Sequence, residues 1–233
     1  MNAHDNHLLE TIKAVLVPIH RAGYPFIAGF AIVSLLLSLI WEGFGFVGLV
    51  LTLWCVYFFR DPERFVPTRA GLVVSPGDGV VQMIVDVVPP EALGLGNEIH
   101  TRISIFLNVF DVHVNRIPAA GKVSKLTYIP GLFLNASLDK ASEDNERQLV
   151  TIDTYDGAKI GVVQIAGLVA RRILCDLKDG QEVKRGERFG LIRFGSRVDV
   201  YLPKDTEILA LVGQRAVGGE TVLAQFTINE HKA

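Results

Sequence analysis

With 233 residues, 49% of them hydrophobic, and a formal net charge of −2, the chain can hold one domain of moderate size plus an appendage. A mean hydropathy of +0.34 is high for a soluble enzyme and points to a membrane-associated portion. The near-neutral charge balance gives no electrostatic case for a nucleic-acid partner. The two cysteines, Cys55 and Cys175, are too far apart in sequence for a disulfide framework or metal-ligand spacing, and reduced, buried thiols are expected. Six scattered histidines form no ligand-spaced cluster, so no metal site is expected.

In chain order, Leu8, Ile12, Val15 and Ile19 recur at helical spacing over 8–20 and give one apolar face. Such a helix suits a membrane surface or a packed neighbour equally. Two strongly apolar runs follow, 26–40 and 44–59, separated by Trp41-Glu42-Gly43. Each is about 24 Å long as a helix, a little short of a hydrocarbon core of about 30 Å, and Tyr24, Trp41 and Tyr57 extend the runs into the interface. Neither run has a polar face, so a membrane hairpin is expected ahead of two buried core helices. Lys13, Arg21, Arg60 and Arg64 flank the hairpin and only Glu42 marks its tip, which puts the N-terminus and the C-terminal domain on the cytoplasmic side of an inner membrane. Phe58-Phe59-Arg60-Asp61-Pro62-Glu63-Arg64 then ends the second helix, with Pro62 forcing the exit and the two arginines placed where lipid phosphates would be. The chain thus divides into a membrane-associated region, 1–64, and a globular domain, 65–233.

Beyond Leu72 the pattern changes to short β-branched or alternating runs broken by Gly and Pro. Strands are expected at 72–74, 80–85, 103–107, 121–128, 149–154, 161–166 and 170–174, with a polar loop or short helix over 131–148. Ser75-Pro76-Gly77-Asp78-Gly79 is a turn, and Asp179-Gly180 with Val183, Gly186, Phe189 and Gly190 has the character of the hairpins in lipoyl- and biotinyl-carrier barrels. Many short strands with glycine turns predict a mainly β domain, a compact sandwich or barrel, preceded by the helical hairpin.

Arg193-Phe194-Gly195-Ser196-Arg197 supports two readings. One is a turn between strands 191–192 and 198–201. In the other, the Ser196 hydroxyl attacks the carbonyl of Gly195, which a glycine backbone can present to it, and the chain is cut there. Asp78 between glycines is by itself a common turn former, and His113 by itself a core or strand-end histidine.

Four ordered motifs bring these residues together: Phe58-Phe59-Arg60-Asp61-Pro62, the Ser75-to-Gly79 turn, Asp111-Val112-His113-Val114-Asn115-Arg116-Ile117-Pro118, and Phe194-Gly195-Ser196. In this order, after a hydrophobic region, they resemble the short bacterial branch of the phosphatidylserine decarboxylases, over nearly the whole chain. The resemblance implies self-cleavage between Gly195 and Ser196, giving fragments 1–195 and 196–233 that stay together. It implies that Ser196 becomes a covalent pyruvoyl cofactor, that the partners are a phospholipid substrate and a membrane, and that phosphatidylserine is converted to phosphatidylethanolamine. It places Ser196, His113 and Asp78 in the catalytic set. Where the longer branch of that family has a second histidine, this chain has Arg116, so the base for cleavage is either His113 or Asp78. Arg116, Arg193 and Arg197 are candidates for the substrate phosphate. The competing reading is a non-catalytic, membrane-tethered, carrier-like β-barrel that binds a partner.

Overall fold

The computed structural model describes residues 17–131, 145–167, 172–193 and 196–227. Two compact units are present, Met1–Glu63 and Arg64–Ala233.

In the first unit, α1 (Tyr24–Ser38) and α2 (Glu42–Phe58) form the expected hairpin. Small residues let the two backbones approach closely. Ser34 Oγ donates to the Gly45 carbonyl at 3.0 Å, and a Cβ at Gly48 would lie 2.5 Å from Ser34 Oγ. Large apolar side chains point outward on both helices, among them Ile32, Leu35, Leu36, Phe46 and Leu53. With the 3-10 turn Arg21–Gly23 ahead of it, α1 forms an apolar stretch, Arg21–Ser38, long enough to cross a bilayer, whereas α2 is shorter. Pro62 does not terminate α2. The helix ends at Phe58, Phe59 leaves helical geometry, and Arg60 turns back to donate to the Tyr57 carbonyl at 2.8 Å. The chain then pairs with its own N-terminal approach, His20 N–H to the Phe59 carbonyl and Asp61 N–H to the Pro18 carbonyl.

The second unit is mainly β, as expected. Its strands are β1 (Leu72–Val74), β2 (Gly79–Val87), β3 (His100–Leu107), β4 (Val114–Arg116), β5 (Gly121–Ile129), β6 (Arg147–Thr154) and β7 (Lys159–Ala166). They continue with β8 (Ile173–Cys175), β9 (Glu182–Val183), β10 (Arg188–Ile192), β11 (Ser196–Pro203), β12 (Glu207–Ile208), β13 (Arg215–Ala216) and β14 (Val222–Gln225). An eight-stranded antiparallel sheet has the order β13-β2-β3-β11-β7-β6-β5-β9, and two three-stranded sheets run β1-β14-β12 and β4-β10-β8.

β11, central in the large sheet, is buried on both faces. Val198, Val200 and Leu202 enter the main core with Val81, Ile105, Val162 and Leu223. The alternate residues, Arg197, Asp199 and Tyr201, lie on the opposite face, where Tyr201 packs with Leu93, Leu149, Val163 and Ile165. Around Asp179-Gly180, β8 and β10 pair antiparallel while β9, between them in sequence, leaves to pair with β5. Cys55 is buried, but Cys175 is only partly so, because β8 is an edge strand of its sheet. Most of the polar region expected over 131–148 and the start of the strand expected at 170–174 lie outside the described residues.

Candidate active site

The strands on either side of Gly195-Ser196 do not pair with each other. A hairpin turn requires its flanking strands to pair, yet β10 pairs with β4 and β8, and β11 pairs with β3 and β7. The chain changes sheets here, and Ser196 is the first residue of β11. It sits opposite Leu107 on one side and Ala166 on the other. Its side chain is fully buried, and its Oγ has no hydrogen-bond partner among the described residues. A buried hydroxyl without a partner costs about 1–3 kcal/mol, so its retention calls for a reason other than packing. Phe194 and Gly195 lie outside the described residues.

Asp78 stands in the turn that leads into β2. Arg64 Nη2 donates to both of its carboxylate oxygens, at 2.8 and 2.9 Å, and the Gly218 N–H donates to Oδ1 at 2.8 Å. Burial pushes the Asp78 carboxyl above the usual aspartate range. Arg64 and the Gly218 N–H pull it down, and the nearby charge of Asp111 adds to the rise. Arg64 therefore does not act as an exposed membrane-exit cation. Its side chain is only 11% exposed and its guanidinium is committed to Asp78. No sequence spacing signals this pair, which sheet packing creates.

His113, fully buried, lies just before β4. Its Nδ1 is 3.0 Å from the Asp111 carbonyl, which can only accept, so Nδ1 carries the proton and Nε2 holds the lone pair in the neutral ring. The Asp111 carboxylate accepts from the Asn108 N–H at 2.9 Å and pairs with Arg215. Its main chain thereby fixes the His113 tautomer. The His113 carbonyl also accepts from the Ile192 N–H at 3.3 Å, which ties β4 to the strand that runs toward Ser196.

The Asp78 turn is linked to Ser196 through Leu107. A Cβ at Gly77 would lie 3.3 Å from Leu107 Cδ2, and Leu107 is the cross-strand neighbour of Ser196. Ser196 Oγ makes no hydrogen bond to His113 or Asp78, so the three are not a preformed hydrogen-bonded triad.

The three arginines differ. Arg197 is fully buried and closes on Asp199, with Nε–Oδ1 at 2.9 Å and Nη2–Oδ2 at 3.0 Å. Arg116 is buried and donates to the Gly186 carbonyl at 3.0 Å. Arg193 is half-buried, three residues before Ser196, and its guanidinium is pulled below the usual arginine range by burial and by the charge of Arg172. Arg172 was not singled out from the sequence, where it reads as one half of an ordinary basic pair, Arg171-Arg172. Asn115 and Gln164 were also missed. They meet in the interior on the Ser196 face of β7, with Gln164 Nε2 donating to Asn115 Oδ1 at 2.8 Å.

Comparison with known proteins gives this geometry a family. The family model described as phosphatidylserine decarboxylase matches residues 51–224. The chain is 58% identical over 222 residues to a phosphatidylserine decarboxylase proenzyme of Cereibacter sphaeroides (strain ATCC 17025 / ATH 2.4.3), covering 95% of this chain and 96% of that protein. It is 61% identical over 208 residues to the phosphatidylserine decarboxylase proenzyme of Rickettsia akari (strain Hartford), covering 89% of this chain and 90% of that one. A family model over most of the chain and two relatives matched along nearly their whole length show the same thing: this chain is an enzyme that belongs to the phosphatidylserine decarboxylase family.

Proposed function

We propose that the chain is a proenzyme that cuts itself between Gly195 and Ser196, converts Ser196 to a pyruvoyl group, and then decarboxylates phosphatidylserine to phosphatidylethanolamine at a membrane. The observation that carries this reading is the Ser196 side chain, fully buried with an unpartnered Oγ at the first position of β11. Ser196 Oγ bonds to the carbonyl carbon of residue 195, the C–N bond breaks, and the hydroxyl proton passes to the nitrogen of Ser196, leaving an ester. Loss of the Cα proton and of the ester carboxylate from Cβ then gives dehydroalanine, and water displaces ammonia. The same buried position suits the group so formed, because β3 and β7 hold the new N-terminus on both sides. A pyruvoyl ketone supplies an electron sink for the pair released when a carboxylate leaves as carbon dioxide.

The chain's own residues have separable tasks. His113, with its lone pair on Nε2, is the general base for the Ser196 hydroxyl and the proton donor during turnover, histidine being the side chain whose ordinary pKa lies nearest neutrality. Asp78 is the alternative base, and its upward shift suits proton exchange. Arg193, three residues before Ser196, is our first candidate for the lipid phosphate. Arg197 is held by Asp199, and Arg116 is buried against Gly186. The outward-facing apolar side chains of α1 and α2 support anchoring in the inner membrane, with the catalytic domain, 65–233, on its cytoplasmic side.

Denaturing mass spectrometry of the purified protein tests this reading. Wild type should give two fragments split after Gly195, the smaller with a carbonyl in place of its N-terminal amine, and Ser196→Ala should give one intact chain. An intact wild-type chain with full decarboxylase activity would overturn the proposal.

A further inference from the structure

Asn115 and Gln164 carry no role in the chemistry above, yet both are completely buried. Gln164 faces the same side of β7 as Ala166, the residue opposite Ser196. Its amide orientation is fixed. Nε2 donates to Asn115 Oδ1 at 2.8 Å and toward the Leu174 carbonyl at 3.4 Å, and a carbonyl can only accept. Asn115 must then present its oxygen to Gln164 and turn its NH₂ the other way. That nitrogen sits 3.3 Å from the position a Cβ would take at Gly77, as does Cδ2 of Leu107, the cross-strand neighbour of Ser196.

Two polar groups are left over: Asn115 Nδ2, a donor, and Gln164 Oε1, an acceptor, both buried without a partner among the described residues. The third such atom in this cluster is Ser196 Oγ, which needs one donor and one acceptor. Three complementary orphans in one small region are hard to assign to packing, since each costs about 1–3 kcal/mol.

We propose that Asn115 and Gln164 clamp the Ser196 side chain, Asn115 Nδ2 donating to Oγ and the Ser196 hydroxyl resting on Gln164 Oε1 until the base takes its proton, so that Oγ is aimed for self-cleavage. Both are positioning residues, and Gln164 also locks the Asn115 amide. This rests on the reading that Ser196 cuts the chain. Gly77 belongs to the device, because a side chain there would press on Asn115 Nδ2.

The test follows splitting of freshly synthesised full-length chain by its mass change, with folding checked by circular dichroism. Asn115→Ala and Gln164→Leu should each slow splitting about 100-fold, the usual penalty for an aimed group that loses its support. Asn115→Asp should be slow at pH 8 and recover about 10-fold relative to wild type near pH 5.5, because a protonated carboxyl regains one donor. Asn115→Ala should show no such recovery, and a purely structural part for Asn115 predicts the same pH profile in both. Folded Asn115→Ala or Gln164→Leu splitting within about threefold of wild type overturns the clamp, since an aiming contact is worth far more. If Asn115→Ala does not fold, Asn115→Asp and Gln164→Leu decide on the same criterion. A wild-type chain that never splits overturns the underlying reading instead, together with everything built on it.

Discussion

Arg64 closes on Asp78 with a single nitrogen that reaches both carboxylate oxygens, and the two side chains are only 11% and 14% exposed. Removing one member of such a pair strands the other charge in the interior. In a Ser196→Ala background, where the chain should stay whole, Arg64→Met is expected to lose about 3 kcal/mol in urea unfolding. The double variant Arg64→Met/Asp78→Asn should recover part of that loss. An Arg64→Met chain as stable as its parent would mean that the pair contributes nothing.

The same carboxyl predicts a pH dependence. Asp78 holds its proton more tightly in the folded chain than in the unfolded one, chiefly because burial disfavours the charge. Its contribution therefore favours the fold in full below the ordinary value of 3.8 and is lost as pH rises through its raised value. Measured against Asp78→Asn in the Ser196→Ala background, the parent's urea midpoint should fall relative to the variant's as pH rises through the acid range. A gap that moves the other way would show that Arg64 outweighs burial.

Arg197 and Asp199 are both fully buried and two residues apart on one face of β11. Asp199→Ala should cost about 3–5 kcal/mol by removing the carboxylate that faces a buried guanidinium, while Arg197→Met/Asp199→Leu should restore most of the stability. Thermal or urea unfolding of the three chains separates these outcomes.

Gly48 lets α1 and α2 meet. A Cβ there would lie 2.5 Å from Ser34 Oγ and 2.8 Å from Ser34 Cα, and backbone cannot yield as a side chain can. Gly48→Leu is expected to force the hairpin apart and lower its thermal stability in detergent. Gly29→Leu should not, since nothing lies within 4 Å of a Cβ at that position. Equal melting of both variants would mean that the close approach is not needed.

The hairpin and most strands were legible because they rest on local patterns. The helices are apolar on every side, the strands are short β-branched runs, and the turns at Asp78 and Gly180 carry glycine, Gly180 at φ +78°. Pro62 misled, because α2 ends earlier at Phe58, where Arg60 caps it. Arg64, Asn115 and Gln164 were illegible as site residues, because each finds its partner only across a long separation in sequence, 14 residues for Arg64 and Asp78 and 49 for Asn115 and Gln164.

By itself the sequence determined that a β domain follows an apolar hairpin, and its ordered motifs picked out Ser196, His113 and Asp78. Those conclusions depend on side-chain period and on short stretches of chain. Only the tertiary structure decided that Ser196 opens a central strand, that Arg64 holds Asp78, and that two buried amides meet on the serine's face of the sheet. The physical reason is that sheet order brings distant residues together, and burial sets whether a charge is screened by solvent or must find a partner inside.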